Sequence, residues 1–282
     1  MKTILVPTDF SENAYQALFY ATQLFKNYKS HFILLNTFSV NTPMLTSRLN
    51  LSKGEDLYKK LSLDSNKKLT EVYHKITRDS EGLDHTFETV SISQPLTETI
   101  EKTIKSKDVS LVVMGTKGAT GAKEVLLGSN TAKVIQSIKH TPVLAVPFSA
   151  EFSDINKVVF ASNFEHPYTV SEMKKMLDIL EMFCSKIDII YVGNLDSLSQ
   201  LQKTNLDLLQ KIFKDYEINI IEIPKSGKVS QAITQFIENG EIDLLSMLYY
   251  RHGLLESITR EAVIKKMGFK VEIPFLVMPS VN

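Results

Sequence analysis

The two halves of the chain begin and end with the same kind of apolar segment. Residues 3–10 read TILVPTDF and residues 157–164 read KVVFASNF, and each run closes on a small residue, an Asp or Asn, and a Phe. Near the ends of the halves stand TPVLAVP at 141–147 and IPFLVMP at 273–279. Because such self-similarity indicates a repeated structural unit, we expect a duplicated domain with its boundary between Phe148 and Asn156.

Short apolar runs alternate with helical periodicities in both halves. The predicted strands are 4–6, 32–35, 87–92, 111–114 and 143–146, then 158–161, 188–192, 218–223, 244–247 and 275–278. Helices are predicted over 14–25, 56–77, 96–104 and 130–138, and between the strands of the second half, for example over 170–183 and 229–238. Apolar strands alternating with helices are typical of a parallel sheet covered on both faces. We therefore predict an α/β protein of two tandem domains, residues 1–149 and 150–282.

The charge and cysteine content restrict the class of protein. The 282 residues contain 32 basic and 32 acidic side chains, a balance that gives no support to a nucleic-acid or membrane-surface partner. The single cysteine, Cys184, excludes an internal disulfide and fits a reducing compartment. No apolar run is long enough for a signal peptide or a membrane span, so the expected location is the cytoplasm.

Few residues are candidates for catalysis or metal binding. The six histidines show no metal-ligand spacing, and one cysteine cannot form a Cys-rich zinc site. Cys184 follows an apolar helical pattern, which favours a buried thiol over a nucleophile. We therefore predict no catalytic and no metal-binding residues.

A glycine-containing loop is the strongest functional signal. After the fourth predicted strand, residues 115–130 read GTKGATGAKEVLLGSN. Glycines let backbone N–H groups approach an anion, and a helix beginning near Ser129 presents free N–H groups and the positive end of its dipole. Lys117 and Lys123 add positive charge. A flexible turn in which Ser129 only caps the helix is the simpler alternative.

The position of Asp9 favours a ligand site over that alternative. Asp9 follows the first strand, within Pro7-Thr8-Asp9-Phe10. If strands one and four are neighbours, Asp9 and Gly115 face each other across the crevice where open α/β sheets bind ligands. The residues alone do not fix this strand order.

The motif Gly-x2-Gly-x9-Gly-Ser, after a first strand that ends Pro-Thr-Asp-Phe-Ser, resembles the ATP-binding branch of the universal stress protein family. The resemblance covers the first half and, more weakly, the second. It implies a Rossmann-like five-stranded parallel sheet in the order 3-2-1-4-5 in each half, with helices on both faces. It also implies one ATP site, with Mg or Mn as the possible cation.

The resemblance also implies which residues hold the nucleotide. Asp9 is expected at the adenine, and Thr37 is expected to contact it through backbone groups, although the family usually has an apolar residue there. Pro7 and Gly115 are expected near the ribose, and Thr8 belongs to the same set. The expected phosphate-binding residues are Gly118, Gly128, Ser129 and Asn130. A second departure, Ser93-Gln94-Pro95 in place of Gly-x-Pro, concerns a turn outside this loop.

The second half departs from the nucleotide motif. Asn163 replaces Asp9, and Met247-Leu-Tyr-Tyr-Arg-His-Gly253 follows the fourth strand without paired glycines. Ser257-Ile258 stands in place of Gly-Ser. We expect no ATP there, because side chains would occupy the place that phosphates need. Arg251 and His252 are read either as a solvated loop or as a binding site for another anion.

Three functions remain compatible with the sequence. The first is a nucleotide-binding stress-response regulator whose second half is a scaffold. In this reading the closing strands of the two halves pair with each other, and a homodimer or a protein partner is possible. The second is a slow ATP hydrolase or phosphotransferase, although no catalytic base is evident beside the loop. The third is an interaction module whose ligand is not ATP, such as a lipid. The segment from Ser39 to Glu55 is read as a lid over the nucleotide or as an irregular connector.

Overall fold

The computed structural model describes residues 1–39, 48–116, 127–183, 186–225, 227–250 and 273–280. The strands are β1 Lys2–Pro7, β2 Ser30–Thr37, β3 His85–Ile92, β4 Leu111–Gly115, β5 Val143–Val146, β6 Lys157–Ala161, β7 Lys186–Val192, β8 Ile218–Ile223, β9 Leu244–Tyr249 and β10 Phe275–Pro279. The α-helices are α1 Glu12–Leu24, α2 Arg48–Asp79, α3 Leu96–Lys107, α4 Ser129–Ser137, α5 Val170–Phe183, α6 Gln200–Ile212 and α7 Val229–Glu238. A short 3-10 turn spans Leu195–Ser197.

The strands form one sheet in the order β3-β2-β1-β4-β5-β10-β9-β6-β7-β8. Each group of five has the predicted order 3-2-1-4-5 and is parallel within itself, so the predicted α/β fold is confirmed. The two groups join through β5 and β10, which pair antiparallel with Leu276 opposite Leu144. The expected pairing of the closing strands is therefore present, and it covers an edge that each half would otherwise expose.

Helices cover both faces of this sheet, as expected for parallel strands buried on two sides. One core lies under α1, α2, α5 and α6, and includes Phe32 and Phe160 from the sheet. The other core lies under α3, α4 and α7, and includes Ile33 and Leu245. Neighbouring residues of one strand thus face opposite cores, and both groups of five strands contribute to each core.

Helices α2 and α6 add to the sequence prediction. Helix α2 begins at Arg48 and not at 56, so much of the predicted connector from 39 to 55 is helical, and residues 40–47 lie outside the described part. Gly54 in a helix interior costs only about 1 kcal/mol, which the following turns, anchored by buried Leu69 and Ile76, outweigh. Helix α6 lies between β7 and β8, where a helix was expected without stated bounds, and its capping box of Ser199 with the Gln three residues later is readable in the sequence.

Ser11 caps the start of α1, since its hydroxyl accepts a hydrogen bond from the Ala14 N–H at 3.2 Å. Cys184, Arg251 and His252 lie outside the described residues, so their interpretation stays a prediction. No helix within the described residues is long and apolar enough to cross a membrane.

Candidate functional site

The candidate site lies where β1 and β4 end side by side. The two strands are parallel neighbours, with Ile4 opposite Leu111 and Leu5 opposite Val112. After β1 the chain enters α1 on one face of the sheet, and after β4 it continues to α4 on the other face. The strand order therefore reverses at this point and opens a crevice at the carboxyl edge, the usual ligand position in such sheets.

A tight turn after β1 fixes the carboxylate of Asp9 at the rim of this crevice. Phe10 has a positive φ of 66°, and its N–H donates to the Thr8 hydroxyl at 3.0 Å. One carboxylate oxygen of Asp9 accepts from the Ser11 N–H at 3.1 Å and from the Ser11 hydroxyl at 2.6 Å. The side chain is exposed, and its orientation is set by local bonds.

The end of β2 forms the neighbouring wall. The Thr8 N–H donates to the Leu35 carbonyl at 2.8 Å, and the Asn36 amide donates to the Thr8 carbonyl at 2.7 Å. Pairing of β2 with β1 ends where Pro7 meets Leu35, whereas pairing with β3 continues to Thr37. Thr37 therefore lies two residues beyond the last pair between β2 and β1, and its main chain is on the side of the crevice.

Gly115 closes β4 and packs tightly against the start of α1. A Cβ at this position would lie 2.4 Å from Oδ1 of Asn13 and 2.9 Å from its main-chain oxygen. The Asn13 amide in turn donates to the Val146 carbonyl at 3.3 Å. The sequence motif alone suggested that a glycine is needed here for the approach of a bound ligand. The packing of α1 against β4 already requires a residue without a Cβ at position 115.

Helix α4 begins directly beside the end of β4. The Gly128 N–H donates to the Thr116 carbonyl at 2.5 Å, and Gly128 is the N-cap residue with Ser129 as the first helical residue. The alternative in which Ser129 caps the helix is therefore wrong. Ser129 and Asn130 are exposed, and within the described ranges no side chain accepts a capping hydrogen bond from the first-turn N–H groups of α4.

Two threonines belong to this region although the sequence did not single them out. The Thr131 hydroxyl donates to the Gly115 carbonyl at 2.8 Å and ties α4 to β4. The Thr116 hydroxyl is buried, and within the described part of the chain it has no hydrogen-bond partner. Threonines in this stretch carry no motif of their own, so only the folded structure shows that they lie where β4 ends and α4 begins.

Eight of the nine predicted nucleotide residues lie at this one edge of the sheet. They are Pro7, Thr8, Asp9, Thr37, Gly115, Gly128, Ser129 and Asn130. The ninth, Gly118, and the basic residues Lys117 and Lys123 fall in 117–126, outside the described residues.

The second half repeats the turn at the equivalent strand end. Phe164 has a positive φ of 58°, and its N–H donates to the Ser162 hydroxyl at 3.0 Å, as Phe10 does to Thr8. The Asn163 side-chain oxygen accepts from the Glu165 N–H at 3.2 Å. Asn163 thus makes the same turn bond as Asp9 without a negative charge.

Bulky side chains occupy the equivalent crevice in the second half. Leu248 pairs with Met278 as Gly115 pairs with Val146, so a large side chain replaces the glycine. Tyr168 is buried, and its hydroxyl forms a hydrogen bond with Ser162. The ring of Tyr250 stacks on His166 with centroids 4.1 Å apart. Leu248 and these aromatic rings therefore lie at and just beyond the strand end that corresponds to Gly115.

These tyrosines stay protonated over the ordinary pH range. Burial is the main cause that raises the pKa of Tyr250, and the negative charge of Glu172 raises it further. Burial is also the main cause that raises the pKa of Tyr168. The filled crevice of the second half therefore carries hydroxyl groups and no phenolate charge.

Comparison with known proteins gives a consistent family. The model of the universal stress protein family matches residues 1–147, just over half of the 282 residues. Universal stress protein MJ0577 of Methanocaldococcus jannaschii is 29% identical over 158 residues, covering 51% of this chain and 94% of that protein. Universal stress protein MJ0531 of the same organism is 31% identical over 156 residues, covering 51% and 81%.

Solved structures extend the likeness of fold to the whole chain. A universal stress protein from Archaeoglobus fulgidus aligns with a TM-score of 0.68 at 17% identity, covering 99% of this chain and 98% of that one. A Pseudomonas aeruginosa protein of unknown function, PA1789, aligns with a TM-score of 0.58 at 14% identity, covering 100% and 93%. At these identities the comparison shows the fold alone.

Proposed function

Because the chain belongs to the universal stress protein family, we propose that its first half binds ATP in the crevice between β1 and β4. Nucleotide occupancy then regulates the interactions of the protein with its partners. The second half, joined through β5 and β10, serves as a scaffold. A cytoplasmic location, where ATP is abundant and thiols stay reduced, and the division into domains 1–149 and 150–282 belong to this proposal.

The observation that carries the proposal is the open start of α4 at the switch point of the sheet. Gly128 adds no side chain at the N-cap, so within the described residues the first-turn N–H groups point to the crevice without a side-chain acceptor. Such groups, with the positive end of the helix dipole, favour a phosphate. The buried hydroxyl of Thr116, beside Gly128, has donor capacity that a ligand oxygen would use.

The opposite end of the crevice suits an adenine base. The ionised carboxylate of Asp9 only accepts hydrogen bonds, and the adenine amino group is a matching donor. The two hydrogen bonds from Ser11 fix the position of the Asp9 carboxylate, so little side-chain entropy of Asp9 is lost when the nucleotide binds. The main chain of Thr37, beyond the last pair with β1, adds backbone donors and acceptors beside the base.

Regulation is favoured over ATP hydrolysis. Phosphoryl transfer needs a residue that orients the attacking nucleophile, and the first turn of α4 carries no acidic residue. Asp9 belongs to the adenine end of the proposed site. Release of ADP well above background, lost with Ser129→Ala, would instead favour a slow hydrolase.

Asp9 and Asn163 provide a matched pair of variants for testing the site. Both side chains accept a turn-forming N–H bond after an equivalent strand, and Asp9 accepts in addition from the Ser11 hydroxyl, so folding of both Ala variants is checked alongside binding. We expect Asp9→Ala to weaken Mg-ATP binding by about tenfold or more, the loss of a good charge-assisted hydrogen bond. Asn163→Ala is expected to leave the Kd within about twofold.

Equilibrium dialysis with labelled ATP measures both constants, with circular dichroism as the check of folding. A second pair of variants lies on α4. Ser129→Ala changes the end of the helix proposed to bind phosphate, and Ser137→Ala changes the opposite end. The Ser137 hydroxyl donates to the Val134 carbonyl at 3.1 Å. Equal effects of the two members of each pair would contradict a site in the first half.

A further inference from the structure

A second cavity lies in the other half of the protein, away from the crevice between β1 and β4. Its volume is about 460 Å³, within the range of small-molecule pockets. It opens between α7 and the strands β6, β7 and β8. Its walls are largely apolar, with Ile221, Ile223, Ala232 and Phe236 among them, and Asp188 and Lys157 are also part of its lining.

Asp188 brings a carboxylate into this apolar environment. Only 1% of the surface of Asp188 is exposed to solvent. Oδ1 accepts from the Asn219 amide at 3.0 Å. Oδ2 lies 2.9 Å from Nζ of Lys157, but the contact is not aligned as a hydrogen bond, and among the described residues this oxygen has no hydrogen-bond donor. Oδ2 is itself buried beside the Lys157 ammonium, so a ligand in the cavity reaches this oxygen only when Lys157 moves away.

The repeat shows that the fold does not need a charge at this position. Asp188 pairs with Val159 in the second half as Ile33 pairs with Leu5 in the first. Ile33 is fully buried and belongs to the apolar core beneath α3 and α4. Burying a carboxylate is unfavourable unless partners compensate for the lost water, and here Asn219 and the Lys157 ammonium do so, so a ligand at this position must bring a positive charge of its own.

We propose that this cavity binds a small molecule that carries a protonated amine on an apolar body. The ammonium group donates to Oδ2 of Asp188, and the apolar body contacts Ile221, Ile223 and Phe236. Lys157, whose side chain is 38% exposed, turns towards solvent when the ligand ammonium takes its place. The exchange keeps the carboxylate neutralised while the ligand covers apolar surface.

The cavity is independent of the proposed nucleotide site. Lys157 begins β6 and Asp188 lies near the start of β7, whereas the nucleotide site is at the carboxyl ends of β1 and β4. Failure of ATP binding would therefore leave this proposal intact, and the reverse also holds.

The test uses the full chain and a panel of primary amines from butylamine to octylamine, with 2-phenylethylamine. Changes in the amide chemical shifts of α7 in ¹H–¹⁵N spectra detect ligands with a Kd of up to about 10 mM, which includes weak ligands. We expect at least one amine to change the amide chemical shifts of α7. Asp188→Asn is expected to weaken the binding of that amine by about tenfold or more. Asp207→Asn, an exposed change on α6, is the matched control and should leave binding unchanged.

A cavity-filling variant gives an independent reading. Ala232 is 4% exposed on the cavity wall, and Ala232→Leu is expected to abolish the amine shifts while circular dichroism stays that of the wild type. The matching alcohols, hexanol and 2-phenylethanol, should bind about tenfold more weakly than the amines. The proposal is overturned if no amine shifts α7, if the alcohols bind equally well, or if Asp188→Asn binds as the wild type does.

Discussion

Replacing Gly115 by Ala tests how the start of α1 is held against β4. The added Cβ would stand 2.4 Å from Oδ1 and 2.7 Å from Cγ of Asn13, and 2.9 Å from the main-chain oxygen of the same residue. The amide group could rotate away, but the backbone oxygen belongs to α1 and can only move with the helix. We expect Gly115→Ala to lower the free energy of unfolding by about 1–3 kcal/mol, the usual cost of overpacking.

The double variant separates the two sources of strain. Asn13→Ala alone removes the bond to the Val146 carbonyl, which still accepts from the Thr116 N–H at 3.0 Å, so the expected loss is about 1 kcal/mol or less. In the double variant the contacts to Oδ1 and Cγ disappear, and the contact at 2.9 Å to the backbone oxygen remains. The rescue is therefore partial, with a coupling of about 1 kcal/mol.

Urea unfolding of the wild type, both single variants and the double variant measures this coupling. Two results would refute the reasoning. One is Gly115→Ala within about 0.5 kcal/mol of the wild type, and the other is strict additivity of the two changes.

Three further predictions concern other parts of the structure. Thr116→Val should weaken ATP binding and leave stability equal or higher, because it removes a buried hydroxyl that has no hydrogen-bond partner among the described residues; a loss of stability in urea unfolding would contradict this. Leu276→Ala at the β5–β10 junction should cost about 2–5 kcal/mol in the same assay, whereas exposed Leu201→Ala should cost less than about 0.5 kcal/mol; equal costs would refute a buried junction. Burial would raise the pKa of Glu88, but hydrogen bonds from Lys107 and His31 outweigh burial and hold that pKa below its usual value. Glu88→Gln should therefore cost less than about 1 kcal/mol at pH 7, and the difference should vanish as the pH falls through the lowered pKa; a difference independent of pH would exclude the ion pair as its cause.

The strands and most helices could be predicted because their patterns are local. The apolar run at 4–6 and the helical spacing after Ser11 each fit one kind of element. The strand order could not be derived from periodicity, because pairing partners lie far apart in the chain. It came from the resemblance carried by the motifs around Asp9 and Gly128, and the sheet confirms it.

Features that depend on distant contacts were harder to predict. The start of α2 at Arg48 was missed because its composition is that of a loop, and buried turns further along hold the helix. Gly115 was assigned to ligand binding, but the reason for its missing Cβ is a contact with Asn13 that only the folded chain brings together. The cavity beside Asp188 was also not predicted, because its lining comes from β6, β7, β8 and α7.

The assignment of nucleotide to the first half alone is tested most directly by calorimetric titration of Mg-ATP into ligand-free wild-type protein. The open start of α4 and the filled crevice beside Leu248 predict one site per chain. Two sites per chain would show that the aromatic side chains of the second half do not exclude nucleotide. No binding by the folded protein would contradict the ATP site.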